Sequence, residues 1–244
     1  MFVDSMTGSQ LLNEYLKDLP EIQEKTLRFD ESEYVGKYLQ KRIKQQQVVI
    51  TKMFKMSSGN RYIGVLIYTQ TGMGKTKQWI WGSFHIGLMN TYKGTASITF
   101  YTDSKQALVY TPHFFKRYKE RFSKVCDWRT RNRFDLAKSF EDIISIYVSR
   151  NIRVAWIETD TVFSDKTHIF APIDDGVALL QWDDKKKVLQ ANTFVTMDML
   201  NEKQTEMVNI AWAYLSLPAE EKKKFKLPDF IRGDESNENK QTDK

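Results

Sequence analysis

The sequence predicts an α+β fold with mostly antiparallel sheets, an N-terminal helical pair and a central helix pair. Three observations carry this. Apolar residues recur at helical spacing before residue 46 and again after Thr111. Between those stretches, runs rich in β-branched and aromatic residues are separated by short Gly-containing turns. A second set of short runs is divided by Asp174-Asp175-Gly176 and Asp183-Asp184-Lys185.

In chain order, Leu11, Leu12, Tyr15, Leu16 and Leu19 mark a first amphipathic helix ending near Pro20, and Tyr34, Tyr38, Leu39 and Ile43 mark a second. A meander follows at Val48–Met56, Tyr62–Thr69, Gln78–Met89 and Thr95–Thr102, with turns at Ser58-Gly59-Asn60, Gly72-Met73-Gly74 and Lys93-Gly94. Thr111-Pro112 opens a helix, with a hydroxyl at the N-cap and proline at the first helical position, and the helix runs to about Cys126. A further helix is predicted over Phe134–Ser149. Strands are then expected at Val154–Glu158, His168–Ala171, Val177–Trp182 and Val188–Val195, with a last helix from Thr196 that ends by Pro218. The predicted organisation is a helical segment (1–46), a β-meander subdomain (47–110), an α+β domain carrying the basic helix (111–232) and a polar, disordered tail (233–244).

The 244 residues are 41% hydrophobic and 13% aromatic, which excludes disorder throughout the chain. The single cysteine, Cys126, excludes an intramolecular disulfide framework and a multi-thiolate zinc site, and a reducing cytoplasm is its simplest home. No run approaches the roughly 18 apolar residues of a membrane span, and the first residues lack the basic-then-apolar order of a secretory signal. The expected protein is soluble, cytoplasmic and not membrane-bound.

Charge is concentrated in one place. Eight cations (Lys116, Arg117, Lys119, Arg121, Lys124, Arg129, Arg131, Arg133) face two anions (Glu120, Asp127) between Lys116 and Arg133, an excess equal to the net +6 of the chain. Such a segment suits an anionic partner, RNA or DNA phosphate above all. Another candidate, Thr71-Gly72-Met73-Gly74-Lys75-Thr76, imitates the end of a phosphate-binding P-loop. It lacks the first glycine, and the residues after it read as strand where a P-loop needs a helix, so it is expected to be a hairpin turn.

On the Thr111 helix, His113, Arg117, Glu120, Arg121 and Lys124 share one face, and Phe114, Phe115, Tyr118, Phe122 and Val125 the other. Free backbone N–H groups in the first turn welcome an anion, and a neutral imidazole there can act as general base. Guanidinium groups four residues apart can share a phosphate. The same stripe can also be a solvated surface laced by Lys116–Glu120 and Glu120–Lys124 pairs. Trp128 with Arg129, Arg131 and Arg133 reads as a loop that grips a nucleic-acid backbone and stacks on a base, with Lys116 and Lys124 adding charge.

This His-x-x-x-Arg-x-x-x-Arg helix, followed by a second helix and a small antiparallel sheet, resembles the metal-independent ribonuclease toxins of the barnase, EndoU, colicin and RelE group. The resemblance covers about Val109–Leu200. It implies RNA cleavage by 2′-OH attack, with no cofactor, using His113 as acid or base, Arg117 and Arg121 on the phosphorane, and Thr193, or Thr196, as a hydroxyl near the scissile phosphate. An inhibitor protein would be a natural partner. These toxins are usually near a hundred residues, so the first 110 residues here are additional.

The three histidines, His85, His113 and His168, have no metal-ligand spacing, even with Asp160 or Asp165, so no metal is expected. His85 reads as a partly buried, hydrogen-bonded strand residue. Cys126 has nearby Lys124 and Arg129 to favour a thiolate but no matched base, which leaves it a small core residue. Beside the nucleic-acid readings, catalytic or not, stands a third: a structural or assembly protein working through protein–protein interfaces.

Overall fold

A computed structural model describes residues 1–72, 78–101, 106–151, 163–164, 169–222 and 224. The architecture is α+β. Among the described residues, nine strands form one sheet: β1 (Gln47–Lys55), β2 (Arg61–Thr71), β3 (Gln78–Thr91), β4 (Gly94–Tyr101), β5 (Gln106–Tyr110), β6 (Phe163–Ser164), β7 (Ile169–Ile173), β8 (Gly176–Asp183) and β9 (Val188–Val195). Their order is β1-β2-β3-β4-β5-β9-β8-β7-β6. Neighbours are antiparallel except β5 and β9, which run parallel, with Val109 opposite Gln190. That one pairing joins the 47–110 meander to the strands of 111–232, so the two predicted segments share a sheet.

Helices cover both faces. On one lie α1 (Gly8–Asp30), α2 (Glu33–Gln40) and α6 (Glu202–Ser216), and on the other α3 (Pro112–Val125), α4 (Trp128–Leu136) and α5 (Phe140–Arg150). A short helix, α7 (Ala219–Lys222), follows α6. Strand β2 shows how the sequence serves two faces. Tyr62, Leu66 and Tyr68 pack towards α1 and α2, while Ile63, Val65 and Ile67 pack towards α3–α5. Burial on both sides explains why this strand is a continuous apolar run rather than an alternating one.

Several boundaries differ from the sequence reading. Helix α1 passes through Pro20 instead of ending there. A proline inside a helix costs about 3 kcal/mol, but the turns beyond it bury Ile22 and Thr26 against the sheet and seat Phe29, which offsets that cost. The buried Asp18 on the same helix accepts from Ser58 Oγ, Asn60 Nδ2 and Tyr62 Oη at 3.0, 2.6 and 2.8 Å, tying α1 to the β1–β2 turn. Strand β5 is an addition, because a five-residue strand beside a helix start offers too short a pattern to separate from a loop. The stretch from Trp128 to Ser149 is two helices, α4 and α5, divided at Ala137–Ser139, where Ser139 and Asp142 form a capping box. Of the P-loop imitation, residues 73–76 lie outside the described residues; its first residue, Thr71, ends β2 and pairs with Gln78 of β3 as in a hairpin. Val154–Glu158, His168, Asp160, Asp165 and the 233–244 tail lie outside the described residues.

The α3–α5 layer is anchored by one carboxylate. Asp175, in the β7–β8 turn, has a side chain only 5% exposed. It accepts from Tyr118 Oη at 2.6 Å, from Arg150 Nε and Nη2 at 3.0 and 2.9 Å, and from Asn151 Nδ2 at 3.0 Å. Arg150 Nη1 also reaches Thr130 Oγ1 at 3.1 Å, so α3, α4 and α5 all meet at this point. Removing one member of a buried charged pair leaves the other uncompensated. Asp175→Ala is therefore expected to lower unfolding stability in urea by about 3 kcal/mol, and Tyr118→Phe by about 1 kcal/mol.

His85 on β3 faces α1, with Nε2 3.0 Å from Thr26 Oγ1, whose own hydroxyl donates to the Ile22 carbonyl at 2.8 Å. Burial lowers its pKa from 6.5 to about 4. The folded state thus resists protonation that the unfolded chain accepts. Stability from this residue is complete above about pH 6.5 and is lost as pH falls towards 4, by at most about 3 kcal/mol. His85→Asn should flatten that acid-side slope in urea titrations run at pH 4.5, 5.5 and 7.

Candidate nucleic-acid interface and the adjoining cleft

Helix α3 starts where β5 ends. Thr111 accepts from Phe114 N through Oγ1 at 3.3 Å, while its N–H and its hydroxyl both donate to the Ala191 carbonyl of β9, at 3.0 and 3.2 Å. The N-terminus of α3 is therefore fixed to the β5–β9 pair. Phe114, Phe115 and Tyr118 are fully buried beneath the helix, and each ring contributes about 2–3 kcal/mol by leaving water. This turns His113, Lys116, Glu120 and Lys124 outwards.

The two arginines of the His-x-x-x-Arg-x-x-x-Arg pattern are already engaged. Arg117 pairs with Glu120 at 2.9 Å, so Glu120 binds neither Lys116 nor Lys124, as its spacing had allowed. Arg121 turns down to the sheet and donates to the Phe194 carbonyl. Strand β5 stops opposite Ala191, so the last residues of β9 have no strand partner on that edge among the described residues. A guanidinium meets that need. Thr193 sits opposite Leu179, which packs with the α6 cluster, whereas Phe194 packs beneath α3; a bulge at Asn192 sets this register. The structure thus does not gather His113, Arg117, Arg121 and Thr193 around one point.

Trp128 to Arg133 form helix α4 rather than a loop. Asp127 caps it, accepting from the N–H groups of Arg129 and Thr130 at 3.0 Å each, and these bonds hold its carboxyl below the usual range. Trp128, at the first helical position, is 71% exposed, and the Arg129 guanidinium lies 5.5 Å from its ring centre. Arg131 reaches back to the end of α3, donating to the carbonyls of Ser123 and Lys124 at 2.9 and 3.3 Å, where a cation complements the helix dipole. Arg133 Nη2 is 3.5 Å from Ser149 Oγ. Among the described residues, Lys116, Lys124, Arg129, Arg131 and Arg133 form no ion pair with a carboxylate.

Behind the start of α3 a cleft of about 240 Å³ opens on the α1 face of β5 and β9. It lies at the carboxyl end of β5, where the chain leaves for one face of the sheet through α3 and, after β9, for the other through α6. Crevices for ligands form at such divergences. Ala96, Val109 and Val188 lie at its base, and His113, Lys93, Lys186, Gln190 and Asn192 are among its polar lining. Arg117, Arg121 and Thr193 do not line it. Of the cleft's polar residues His113 was singled out in the sequence, whereas Gln190, Asn192, Lys93 and Lys186 were not, although alternation along β9 puts Val188 and Gln190 on one face, and Lys93 lies in a recognisable turn.

No protein family, curated relative or solved structure matches this chain. Among the described residues, no cluster of three or more His, Cys, Asp or Glu side chains forms a metal-binding group, and no helix is long and apolar enough to cross a membrane.

Cys126 closes α3 as a buried residue. Burial raises its pKa, and neighbouring Asp127 adds to the rise, so the thiolate that Lys124 and Arg129 were expected to favour is disfavoured instead. Alkylation by iodoacetamide at pH 8 should be about tenfold slower or more in the native protein than in urea.

Proposed function

We propose that this protein binds single-stranded nucleic acid along the exposed face of α3 and α4. The observation that carries the reading is Trp128: a tryptophan 71% exposed, beside the Arg129 guanidinium and among cations that lack carboxylate partners. An exposed indole beside a guanidinium is a stacking platform, and a base in a single strand offers the stacking surface that a paired base withholds. Lys116, Lys124, Arg129, Arg131 and Arg133 supply the charge that phosphates seek, and Arg131 is held in place by the end of α3. From Pro112 to Val125 the fourteen residues of α3 rise about 21 Å, enough for a strand to follow the helix over several nucleotides.

Binding to an oligonucleotide followed at several salt concentrations tests this. The log–log slope is expected to be about −0.7 per neutralised phosphate. Trp128→Ala should weaken affinity about tenfold with little change in slope, and Arg131→Ala should make the slope shallower. A salt-independent affinity, or a Trp128→Ala protein that binds as well as the parent, would end the proposal.

A catalytic reading draws on one observation, the exposed His113 at the mouth of the cleft. In that reading, as the ribonuclease-toxin resemblance implies, His113 takes the 2′-OH proton and the cleft holds the reacting nucleotide. With Arg117 and Arg121 both engaged elsewhere, the phosphorane charge falls to Lys93 and to the strand-binding face. His113→Ala should then abolish RNA turnover while leaving affinity within about twofold. A wild-type protein that leaves RNA intact removes catalysis and keeps binding.

A further inference from the structure

The cleft has a chemistry of its own, separate from the α3–α4 face. Its base is apolar, built from Leu11, Ala96, Val109 and Val188, and suits a flat, weakly polar ring. Above it lies Gln190, whose orientation is fixed by its neighbour. Gln190 Nε2 donates to Asp183 Oδ2 at 2.8 Å, and a carboxylate can only accept, so the nitrogen must face Asp183 and the amide oxygen is left free. Asp183 cannot swing away, since its other oxygen accepts from the N–H groups of Lys185 and Lys186 at 3.0 Å each. Asn192 lies beside Gln181, with Nδ2 3.3 Å from Oε1; both are amides, so either can donate and Asn192 can turn its oxygen or its nitrogen to a ligand. Gln190 therefore offers a fixed acceptor to a ligand that brings an N–H donor.

Its charge is arranged as well. Lys186 is neutralised by Asp4 at 2.8 Å, whereas Lys93, exposed in the β3–β4 turn, has no carboxylate partner among the described residues. Lys93 and the exposed His113 are the groups available to an anion. A ligand that meets all of this has a flat apolar ring, an exocyclic amine and a phosphate.

We propose that the cleft between the start of α3 and strand β9 binds a nucleotide whose base carries an amine where hypoxanthine and uracil carry a carbonyl, that is adenine or cytosine. The base lies over Val109 and Val188 and donates to the free oxygen of Gln190, and the phosphate meets Lys93 and His113. Bases with a carbonyl at that position would set oxygen against oxygen and be rejected.

Calorimetry on the full chain with four mononucleotides tests the assignment. AMP and CMP should bind about tenfold or more tighter than IMP and UMP, and Gln190→Leu should erase that preference. Lys93→Ala changes only an exposed turn residue, so folding is preserved. It should weaken AMP about tenfold and leave adenosine unaffected. Trp128→Ala should leave AMP binding within twofold while weakening oligonucleotides, which separates this site from the α3–α4 face. If a short oligo-dA displaces AMP, the strand supplies the ligand; if it does not, a free nucleotide does. Equal affinity for all four nucleotides, no binding of AMP, or loss of AMP binding in Trp128→Ala overturns the proposal.

Discussion

The parallel contact between β5 and β9 is the constraint on which the rest of this structure depends. It is three residue pairs long, Leu108–Leu189 to Tyr110–Ala191, and Thr111 extends it by sending two hydrogen bonds to the Ala191 carbonyl. Without it the five-stranded meander and the β6–β9 strands would be separate sheets. With it, the N-terminus of α3 is held over the seam, His113 comes to the edge of the cleft, and the unpaired end of β9 demands a donor that Arg121 supplies. A short parallel pairing is intrinsically modest, so the fold reinforces it from the side. The buried Asp175 carboxylate binds Tyr118 of α3, Arg150 of α5 and Asn151 together, and Arg150 reaches α4 through Thr130, holding the helical layer above the seam.

The fold was largely legible because its strands and helices obey local rules. Thr111-Pro112 announces α3, hairpin turns divide the meander, and the apolar run of β2 signals a strand covered on both sides. Legibility failed where tertiary burial overrode a local signal. Pro20 lies in a helix that continues because Ile22 and Thr26 are needed against the sheet. Trp128–Arg133 is helical because Asp127 caps it, a role indistinguishable in sequence from a loop aspartate. β5 pairs with its chain neighbour β4 on one side and with the distant β9 on the other, and no local window contains β9.

The candidate site was legible in part for the same reason. Spacing correctly put His113, Arg117 and Arg121 on one side of α3, but spacing says nothing of what lies beneath a helix. Arg117 and Arg121 differ by about 40° around the axis, which is enough to leave one with Glu120 at the surface and to bring the other down onto a free carbonyl. The exposed cations and Trp128 were recognisable because exposure follows from composition: a segment with eight cations cannot be buried without partners. Gln190 and Asn192 escaped notice since a polar residue alternating on a strand ordinarily means solvent.

The arginines of this segment divide by what satisfies them, and that division favours binding over chemistry. Arg121 donates from one terminal nitrogen to the Phe194 carbonyl, which holds its guanidinium against β9 and outside the cleft that His113 lines. Arg131 also donates to carbonyls, but these belong to the exposed end of α3, and a planar fork held by Nε and one terminal nitrogen keeps the remaining terminal nitrogen for a phosphate. Both arginines are held by carbonyls, Arg131 at the exposed end of α3 and Arg121 against the sheet. The proposed strand binding at α4 would need no rearrangement of the described structure, whereas a reaction that joins Arg121 to His113 would need Arg121 to move into the cleft it does not line.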